Sequence, residues 1–122
     1  TAGEVRKMLA GHGGLVAYTG SNDMRDLLKA AAEGDKEIAA TVDAFHYQIG
    51  KEVGAMAAVM KGKVDQIILT GGIAYGQETV DAITDMVGWI APITVYPGED
   101  ELLALAQGAL RVLNGEEPAR VY

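Results

Sequence analysis

A short apolar run that ends in two glycines constrains the fold of this chain more than any other segment. The run Ile67–Leu69 follows a charged stretch and leads through Thr70 into Gly71 and Gly72. A continuous apolar run of this length, ended by a turn signal, predicts a strand buried on both faces, usually within a parallel sheet. Both glycines lack a Cβ, so they can take positive φ and let a ligand approach the backbone closely.

The carboxyl end of a parallel strand is where open α/β sheets bind their ligands. We therefore predict that the adenosine or phosphate end of a nucleotide lies against Gly71 and Gly72. The local pattern fits a tight strand-to-helix turn without a ligand equally well, so on its own it leaves both interpretations open.

The surrounding sequence predicts helices on either side of this strand. Apolar periodicity and glycine breaks predict helices over residues 4–9, 23–33, 36–61, 79–87 and 99–113, and further short strands over 15–18 and 92–96. This order indicates the α/β fold class, with helices covering a short, thin sheet of at most three strands. We expect the rest of such a sheet to lie outside this chain.

The longest predicted helix begins after the capping residue Asp35 and runs to Lys61, with Gly62 in the C-cap role. Its apolar positions recur at steps of three and four: Ile38, Val42, Phe45, Ile49, Val53, Met56 and Met60. A second stripe of small residues at spacing four, Gly50, Gly54 and Ala58, predicts that another helix or sheet packs very close to this helix.

The last predicted helix starts with three acidic residues, Glu99, Asp100 and Glu101, which the helix macrodipole favours in a first turn. Its buried side is expected to contain Leu102, Leu105, Ala106, Ala109, Leu110 and Leu113. Asn114 and Gly115 end it, and residues 116–122 are expected to form a tail.

Charge and composition exclude several classes of function. The 122 residues suit one domain, and 17 acidic against 10 basic residues give a formal charge of −7. An acidic surface argues against nucleic acid or an anionic membrane as partner. The absence of cysteine excludes disulfides and thiolate metal sites. No apolar run is long enough to cross a bilayer and no secretory signal is visible, so a cytoplasmic location is expected.

The chain begins at Thr1 rather than at an initiator methionine. We expect it to be a processed, tagged or excised piece of a longer protein.

Two polar clusters could bind parts of a ligand. Gly20–Arg25 combines a turn with a helix start that Ser21 or Asn22 can cap, where free N–H groups favour an anion and Asp23 and Arg25 offer polar contacts. Capping and a surface ion pair explain the same residues without a ligand. In Pro97–Glu101, the carboxylates could hold Mg²⁺ directly or through water. The helix macrodipole alone also accounts for those acids.

The remaining chemically distinctive residues indicate structural roles. His12 lies in a glycine loop and His46 in the long helix, and neither has a partner at the spacing of a catalytic triad or a zinc site. We expect His46 to be structural. Trp89 and the five tyrosines form no stacking stripe and are expected to serve in packing.

Taken together, these segments resemble a known family. The resemblance covers nearly the whole chain, and no single motif carries it. The segments in question are Gly13–Tyr18, Gly20–Asp23, Phe45–Gly54, Gly62–Asp65, Thr70–Ala74, Tyr96–Leu102, Gly108–Leu113 and Glu116–Tyr122. In this order they resemble the butyrate kinase branch of the acetokinase family, within the superfamily of acetate kinase, sugar kinases and actin-type ATPases.

The resemblance implies reversible phosphoryl transfer between ATP and a short-chain carboxylate, giving an acyl phosphate and ADP. It implies two ribonuclease-H-like (actin-type ATPase) domains with the nucleotide between them, of which residues 1–122 would form the later part of the C-terminal, nucleotide-binding domain. The partners implied are ATP or ADP with Mg²⁺, a short-chain carboxylate, the N-terminal domain and further copies of the enzyme in a homo-oligomer.

The resemblance also implies roles for particular residues. Thr70, Gly71, Gly72 and Ile73 would form the adenosine motif, and Asp23, Met24 and Arg25 match a segment that contacts adenosine in acetate kinase. Asp100 or Glu101 would approach Mg²⁺. The spacing after Pro97 differs by one residue from acetate kinase, so the choice between these two acids stays open. Acetate kinase has Gly-Glu-Asn where this chain has Ala74-Tyr75-Gly76, so contacts made there are not transferred.

The same resemblance places the catalytic aspartate, the catalytic arginines and the phosphate-binding hairpin outside this chain. No catalytic residue is therefore expected here, and the isolated chain is expected not to turn over, because phosphoryl transfer needs groups on both sides of the nucleotide. Two alternatives remain open: a noncatalytic dimerisation or assembly domain of such a kinase, and part of another superfamily kinase such as a sugar kinase.

Overall fold

The computed structural model describes residues 1–119, and its two strands lie among helices, as expected for a mixed α/β chain. In chain order the elements are α1 (Ala2–Leu9), α2 (Leu15–Thr19), α3 (Met24–Ala32), α4 (Lys36–Val59), β1 (Ile67–Gly71), a 3₁₀ helix (Gly72–Tyr75), α5 (Gln77–Val87), β2 (Ile93–Pro97) and α6 (Glu101–Leu113). The end of the predicted tail, residues 120–122, lies outside the described residues.

The two strands form a short parallel sheet. Ile67 is paired with Ile93 at one end of the register and Gly71 with Pro97 at the other. Beyond this register, Gly71 and Gly98 exchange backbone hydrogen bonds of 3.2 and 3.1 Å. The parallel arrangement is confirmed, and it brings the carboxyl ends of both strands to the same edge of the molecule.

Helix α5 connects the two strands and covers one face of the sheet. Its Ile83 and Val87 form a buried cluster with Ile67 and Ala91. Ile68, which points to the other face of β1, is 59% exposed. The prediction of a strand buried on both faces is therefore wrong, because no element among residues 1–119 covers that second face.

A second core cluster joins α3 to α4 and contains Met24, Leu27 and Val42. Helix α4 lies between the two clusters, because Ile49 and Val53 pack against the cluster around Ile67. This central helix holds both halves of the described structure together.

The strand predicted over residues 15–18 is wrong, because these residues form the short helix α2. A run of four apolar residues does not by itself distinguish a strand from a buried helical segment. Here Gly14 and Gly20 take positive φ at the two ends of the helix. Leu15 packs against the α3–α4 cluster, so contact with a neighbouring helix favours the helical form.

The long helix α4 is confirmed, and Asp35 caps it by accepting hydrogen bonds from the N–H groups of Glu37 and Ile38, both at 3.0 Å. Its carboxyl end is a Schellman turn, in which Gly62 N–H donates to Ala57 at 2.9 Å. Lys61 precedes Gly62 in this turn with φ 56°, so the left-handed position next to the cap is taken by a lysine.

The apolar stripe of α4 is buried only in part. The buried residues are Val42, His46, Gly50 and Ala57, whereas Met56 and Met60 are 52% and 47% exposed. The packing side of this helix is thus rotated slightly from the predicted stripe, because its neighbours α3 and α5 contact it at Val42, His46 and Gly50.

The small-residue stripe meets a close neighbour at only one of its three positions. A Cβ at Gly50 would lie 2.5 Å from Cε of Met86 in α5, so close packing is confirmed there. A Cβ at Gly54 would have no neighbour within 4 Å, and Ala58 is exposed.

Two further expectations about packing are wrong. No residue of α6 is buried by the described part of the chain, although six of its residues were expected to be. Trp89 is 80% exposed, and the tyrosines at positions 18, 47, 75 and 96 are between 57% and 82% exposed. The sequence pattern identified the apolar side chains correctly, but residues 1–119 contain no partners that bury them.

Among residues 1–119, none of the helices combines the length and the apolar character that spanning a membrane requires.

Candidate functional site

A cavity of about 740 Å³ lies at the carboxyl edge of the sheet, between the start of α3 and the 3₁₀ helix. Three separate segments of the chain contribute to its wall. They supply Asp23, Met24 and Arg25, then Gly72 and Ile73, and finally Glu99. Five of the seven residues predicted to contact a nucleotide are thus brought together from positions almost 50 residues apart.

The glycine turn gives this cavity an open backbone wall. Gly71 has φ 85° and ψ 176°, a conformation that L side chains rarely adopt, and it turns β1 directly into the 3₁₀ helix. At Gly72, a Cβ would meet no atom within 4 Å. Nothing in the described fold requires a glycine at position 72 for space, so the bare backbone there leaves room for a ligand.

The other two predicted residues of this motif have different surroundings. Gly71 is not among the lining residues, although a Cβ there would lie 3.7 Å from Oε1 of Glu99, which is one of them. Thr70 pairs with Tyr96 inside the sheet and is not among the residues that line the cavity.

The start of α3 presents a fixed ion pair to the cavity. Asp23, and not Ser21 or Asn22, is the N-cap, and it accepts the N–H of Arg25 at 3.0 Å. The same carboxylate accepts hydrogen bonds from Nε of Arg25 at 3.0 Å and from Nη2 at 2.6 Å. These bonds with Arg25 lower the pKa of Asp23 to about 2, so the carboxylate is ionised at neutral pH.

This two-bond pair orients the flat guanidinium of Arg25, whose side chain is 90% exposed. Met24, between the two charged residues, is only 6% exposed and anchors the turn in the α3–α4 core. The cap and the surface ion pair that could explain this segment without a ligand are therefore both present. They also leave Arg25 with polar and planar surface facing the cavity.

The acidic segment before α6 contributes Glu99 to the cavity, while Asp100 and Glu101 are not among its lining residues. Asp100 occupies the N-cap position without a side-chain capping bond, and Glu101 is the first helical residue, so the helix begins two residues later than predicted. Among the described residues, no group of three or more His, Asp or Glu side chains is placed to hold a metal ion.

Three lining residues lie outside both predicted clusters, namely Leu28, Tyr75 and Gly76. Asn22 and Glu99 lie inside those clusters, but neither was assigned to a nucleotide or Mg²⁺ contact. The sequence signal for Tyr75 is its place in the same turn as Gly71 and Gly72, because a ring in that turn lies close to a ligand bound against the glycines.

His46 lies outside the cavity and ties α4 to α5. It is 6% exposed, and its Nε2 lies 3.1 Å from Oγ1 of Thr79, which is 1% exposed. Burial lowers the pKa of His46, although the charge of Asp43 opposes this change. A neutral, hydrogen-bonded histidine between two helices agrees with the expected structural role.

Comparison with known proteins places these observations in a family context. The profile of the Acetokinase family matches residues 1–112. The chain is 55% identical over its full length to a probable butyrate kinase of Clostridium botulinum (strain Alaska E43 / Type E3). It is 54% identical over its full length to butyrate kinase 2 of Clostridium acetobutylicum, and 52% identical over 98% of its length to butyrate kinase 1 of the same organism. The chain spans 34% of the length of each of these relatives.

Proposed function

This chain belongs to the acetokinase family, and on that premise we propose that it supplies the adenosine side of the nucleotide site in a kinase that phosphorylates a short-chain carboxylate. The reaction would be the reversible conversion of ATP and butyrate into ADP and butyryl phosphate. Residues 1–122 would be the later portion of a C-terminal, ribonuclease-H-like domain, which works against a second domain across the nucleotide.

The observation that carries this proposal is the cavity itself. Asp23, Met24 and Arg25 come from the start of α3, and Gly72 and Ile73 come from the turn after β1. The resemblance to the family assigns both segments to adenosine contacts. Both segments line one cavity at the carboxyl edge of a parallel sheet, and this edge is where α/β folds bind ligands.

The chemistry of the wall suits an adenosine group. The bare backbone at Gly72 admits a flat group at close range, and Ile73, which is 41% exposed, adds apolar surface. The ionised carboxylate of Asp23 can accept hydrogen bonds from ribose hydroxyls. The guanidinium of Arg25 offers a planar cation, which stacks readily on an aromatic base.

Mg²⁺ would reach this site with the nucleotide. Residues 1–119 do not form a metal site by themselves, since no three suitable side chains converge. Asp100 has no capping bond to its carboxylate, and both Asp100 and Glu101 are exposed, so either is available to a hydrated ion held by the phosphates. The family carries out phosphoryl transfer with such an ion, and this chain's residues position the adenosine end.

A titration of the chain with Mg-ADP or Mg-ATP tests the proposal. We expect saturable binding that Gly72→Val abolishes, because a Cβ at this lining position meets no protein atom within 4 Å and the added side chain takes up space that a ligand would use. Arg25→Gln should also weaken binding. Lys29→Gln, which makes the same charge change one turn further along α3 at an exposed residue, is the control and should leave binding unchanged.

An unfolding measurement on Gly72→Val keeps this test interpretable, since its stability should match that of the wild type. Wild-type chain that fails to bind either nucleotide, or Gly72→Val that folds and still binds as well as the wild type, would overturn the proposal. The isolated chain should form no acyl phosphate, because the catalytic groups are expected elsewhere.

An assembly role is the second candidate, and the exposed apolar surface of α6 favours it. Leu102, Leu105 and Leu113 are 85%, 70% and 81% exposed. Tight self-association of the isolated chain without nucleotide binding would support this alternative. The family match makes a sugar kinase the weaker interpretation.

A further inference from the structure

The cavity contains one large aromatic side chain to which nothing so far assigns a role. Tyr75 ends the 3₁₀ helix, lines the cavity and is 73% exposed. A tyrosine exposed to that extent buries little apolar surface in the described fold. Its position beside Gly72 places the ring next to the wall that the proposed function gives to adenosine.

The hydroxyl end of the Tyr75 ring lies against a glycine. A Cβ at Gly98 would lie 2.6 Å from the Tyr75 hydroxyl oxygen and 3.3 Å from the ring carbon that carries it. The ring edge therefore rests directly on the backbone at position 98, where any other residue would collide with it. Gly98 is itself fixed, because it exchanges two backbone hydrogen bonds with Gly71.

This arrangement leaves a face of the ring, rather than its hydroxyl, for a ligand. The ring leaves the 3₁₀ helix at its Cβ end and lies against the backbone of Gly98 at its hydroxyl end. A tyrosine ring has only two side-chain torsions, so it loses little conformational entropy on binding. Aromatic rings in such positions stack on nucleobases, and they do so with any base because every base has a π face.

We propose that Tyr75 is the stacking surface for the nucleobase and that Gly98 positions its ring. This inference rests on the proposed nucleotide site and adds a binding residue and a positioning residue to it. Because stacking does not read the edge of a base, Tyr75 contributes affinity for purine nucleotides in general rather than a preference for adenine over guanine.

The experiment measures binding of Mg-ADP and Mg-GDP to the wild-type chain, Tyr75→Leu and Tyr75→Phe. We expect Tyr75→Leu to raise both dissociation constants about tenfold, within the range that loss of one base-stacking ring produces. Tyr75→Phe keeps the ring and should stay within about twofold of the wild type. Tyr47→Leu, at a tyrosine that is 57% exposed on α4 and outside this cavity, is the matched control and should change nothing.

A spectroscopic readout separates stacking from a merely structural role. The Tyr75 ring proton resonances, assigned by their loss in Tyr75→Leu, should move upfield as Mg-ADP saturates the wild-type chain. A binding constant that Tyr75→Leu leaves unchanged, or ring resonances that do not move, would overturn the inference while the proposed function stands. Wild-type chain that binds no nucleotide would overturn both.

Gly98→Ala tests the positioning role. It should weaken Mg-ADP to the same extent as Tyr75→Leu, and the double variant should be no weaker than either single one, because both changes remove the same stacking surface. Gly98 has φ +102°, so alanine there also strains the backbone. Gly11→Ala is the control for backbone strain alone, since Gly11 has φ +114° and a Cβ there would meet nothing within 4 Å. Additive losses in the double variant would contradict the positioning role.

Discussion

Helices α5 and α6 have similar lengths and similar apolar periodicity, yet only α5 is packed. Helix α5 has 11 residues and buries Thr79, Val80, Ile83 and Val87. Helix α6 has 13 residues and buries none within the described structure. Periodicity therefore predicts which side of a helix is apolar, but it does not predict whether a partner is present.

The connections of the two helices explain this difference. Helix α5 links β1 to β2, and a crossover between parallel strands places its helix against the sheet. Helix α6 follows β2, and no later strand among residues 1–119 returns its chain to the sheet. The connection thus determines the packing of α5, whereas α6 needs a surface that the described residues do not provide.

The largest expected difference between the two helices is in core truncation. Ile83→Ala should lower the free energy of unfolding by about 2–5 kcal/mol, because it removes three carbons from a side chain that is 4% exposed in the cluster around Ile67. Leu110→Ala in α6 should change it by less than about 0.5 kcal/mol, since Leu110 is 54% exposed. Denaturant unfolding of both variants measures these losses of unfolding free energy. Equal losses would contradict the difference in packing between α5 and α6.

The buried hydrogen bond of α5 should give the next largest effect. Thr79→Val keeps the shape of the side chain but leaves His46 without its partner, which should cost about 1–3 kcal/mol. Thr84→Val, at an exposed threonine in the same helix, is the control and should be nearly neutral. If both variants unfold at the same denaturant concentration, the His46–Thr79 contact does not hold α5 against α4.

The same contact predicts a dependence of stability on pH. Burial lowers the pKa of His46 below its ordinary value of 6.5, so the unfolded chain takes up the proton first as pH falls. The contribution of neutral His46 to the free energy of unfolding is fully present above pH 6.5. It is lost as pH falls from about 6.5 through the lower pKa of the folded state. His46→Gln should reduce the slope of stability against pH in this window, and an unchanged slope would contradict the assignment.

The smallest expected effects come from replacing a helix glycine by alanine. Gly108→Ala in α6 should stabilise the chain by about 0.5–1 kcal/mol, because alanine favours the helix and its Cβ would meet only the tip of Arg111, at 3.8 Å. Gly50→Ala gains the same propensity, but Met86 of α5 must move away from a Cβ only 2.5 Å from its terminal carbon. Thermal unfolding should therefore show stabilisation for Gly108→Ala alone. Similar gains in both variants would mean that the α4–α5 contact is looser than the structure indicates.

The sequence predicted much of the fold because several signals were local. Asp35, with its cap, and the steps of three and four that follow it gave the start and the length of α4. The apolar run before Gly71 gave β1 and its turn. The strand predicted at 15–18 was wrong because a four-residue apolar run carries no usable period, and packing against α4 decided its form.

The candidate site was predicted from residues that are neighbours along the chain. Asp23, Arg25 and Gly72 line one cavity, and their contact with a nucleotide stays a prediction. Glu99 and Tyr75 were missed because their contribution depends on which side chain turns toward the cavity across β2 and the 3₁₀ helix. That choice follows from the geometry at Gly71 and Gly98, which residue spacing does not contain.

The sequence by itself determined the helices other than α2, the parallel strand with its glycine turn and the family to which the chain belongs, because those depend on local periodicity and on residue order. Only the tertiary structure decided that the turn at Gly71 and the start of α3 enclose one cavity, that Tyr75 rests on Gly98, and that α5 is packed while α6 is not. The physical reason is that burial is a property of two surfaces in contact. A sequence pattern describes only one of them.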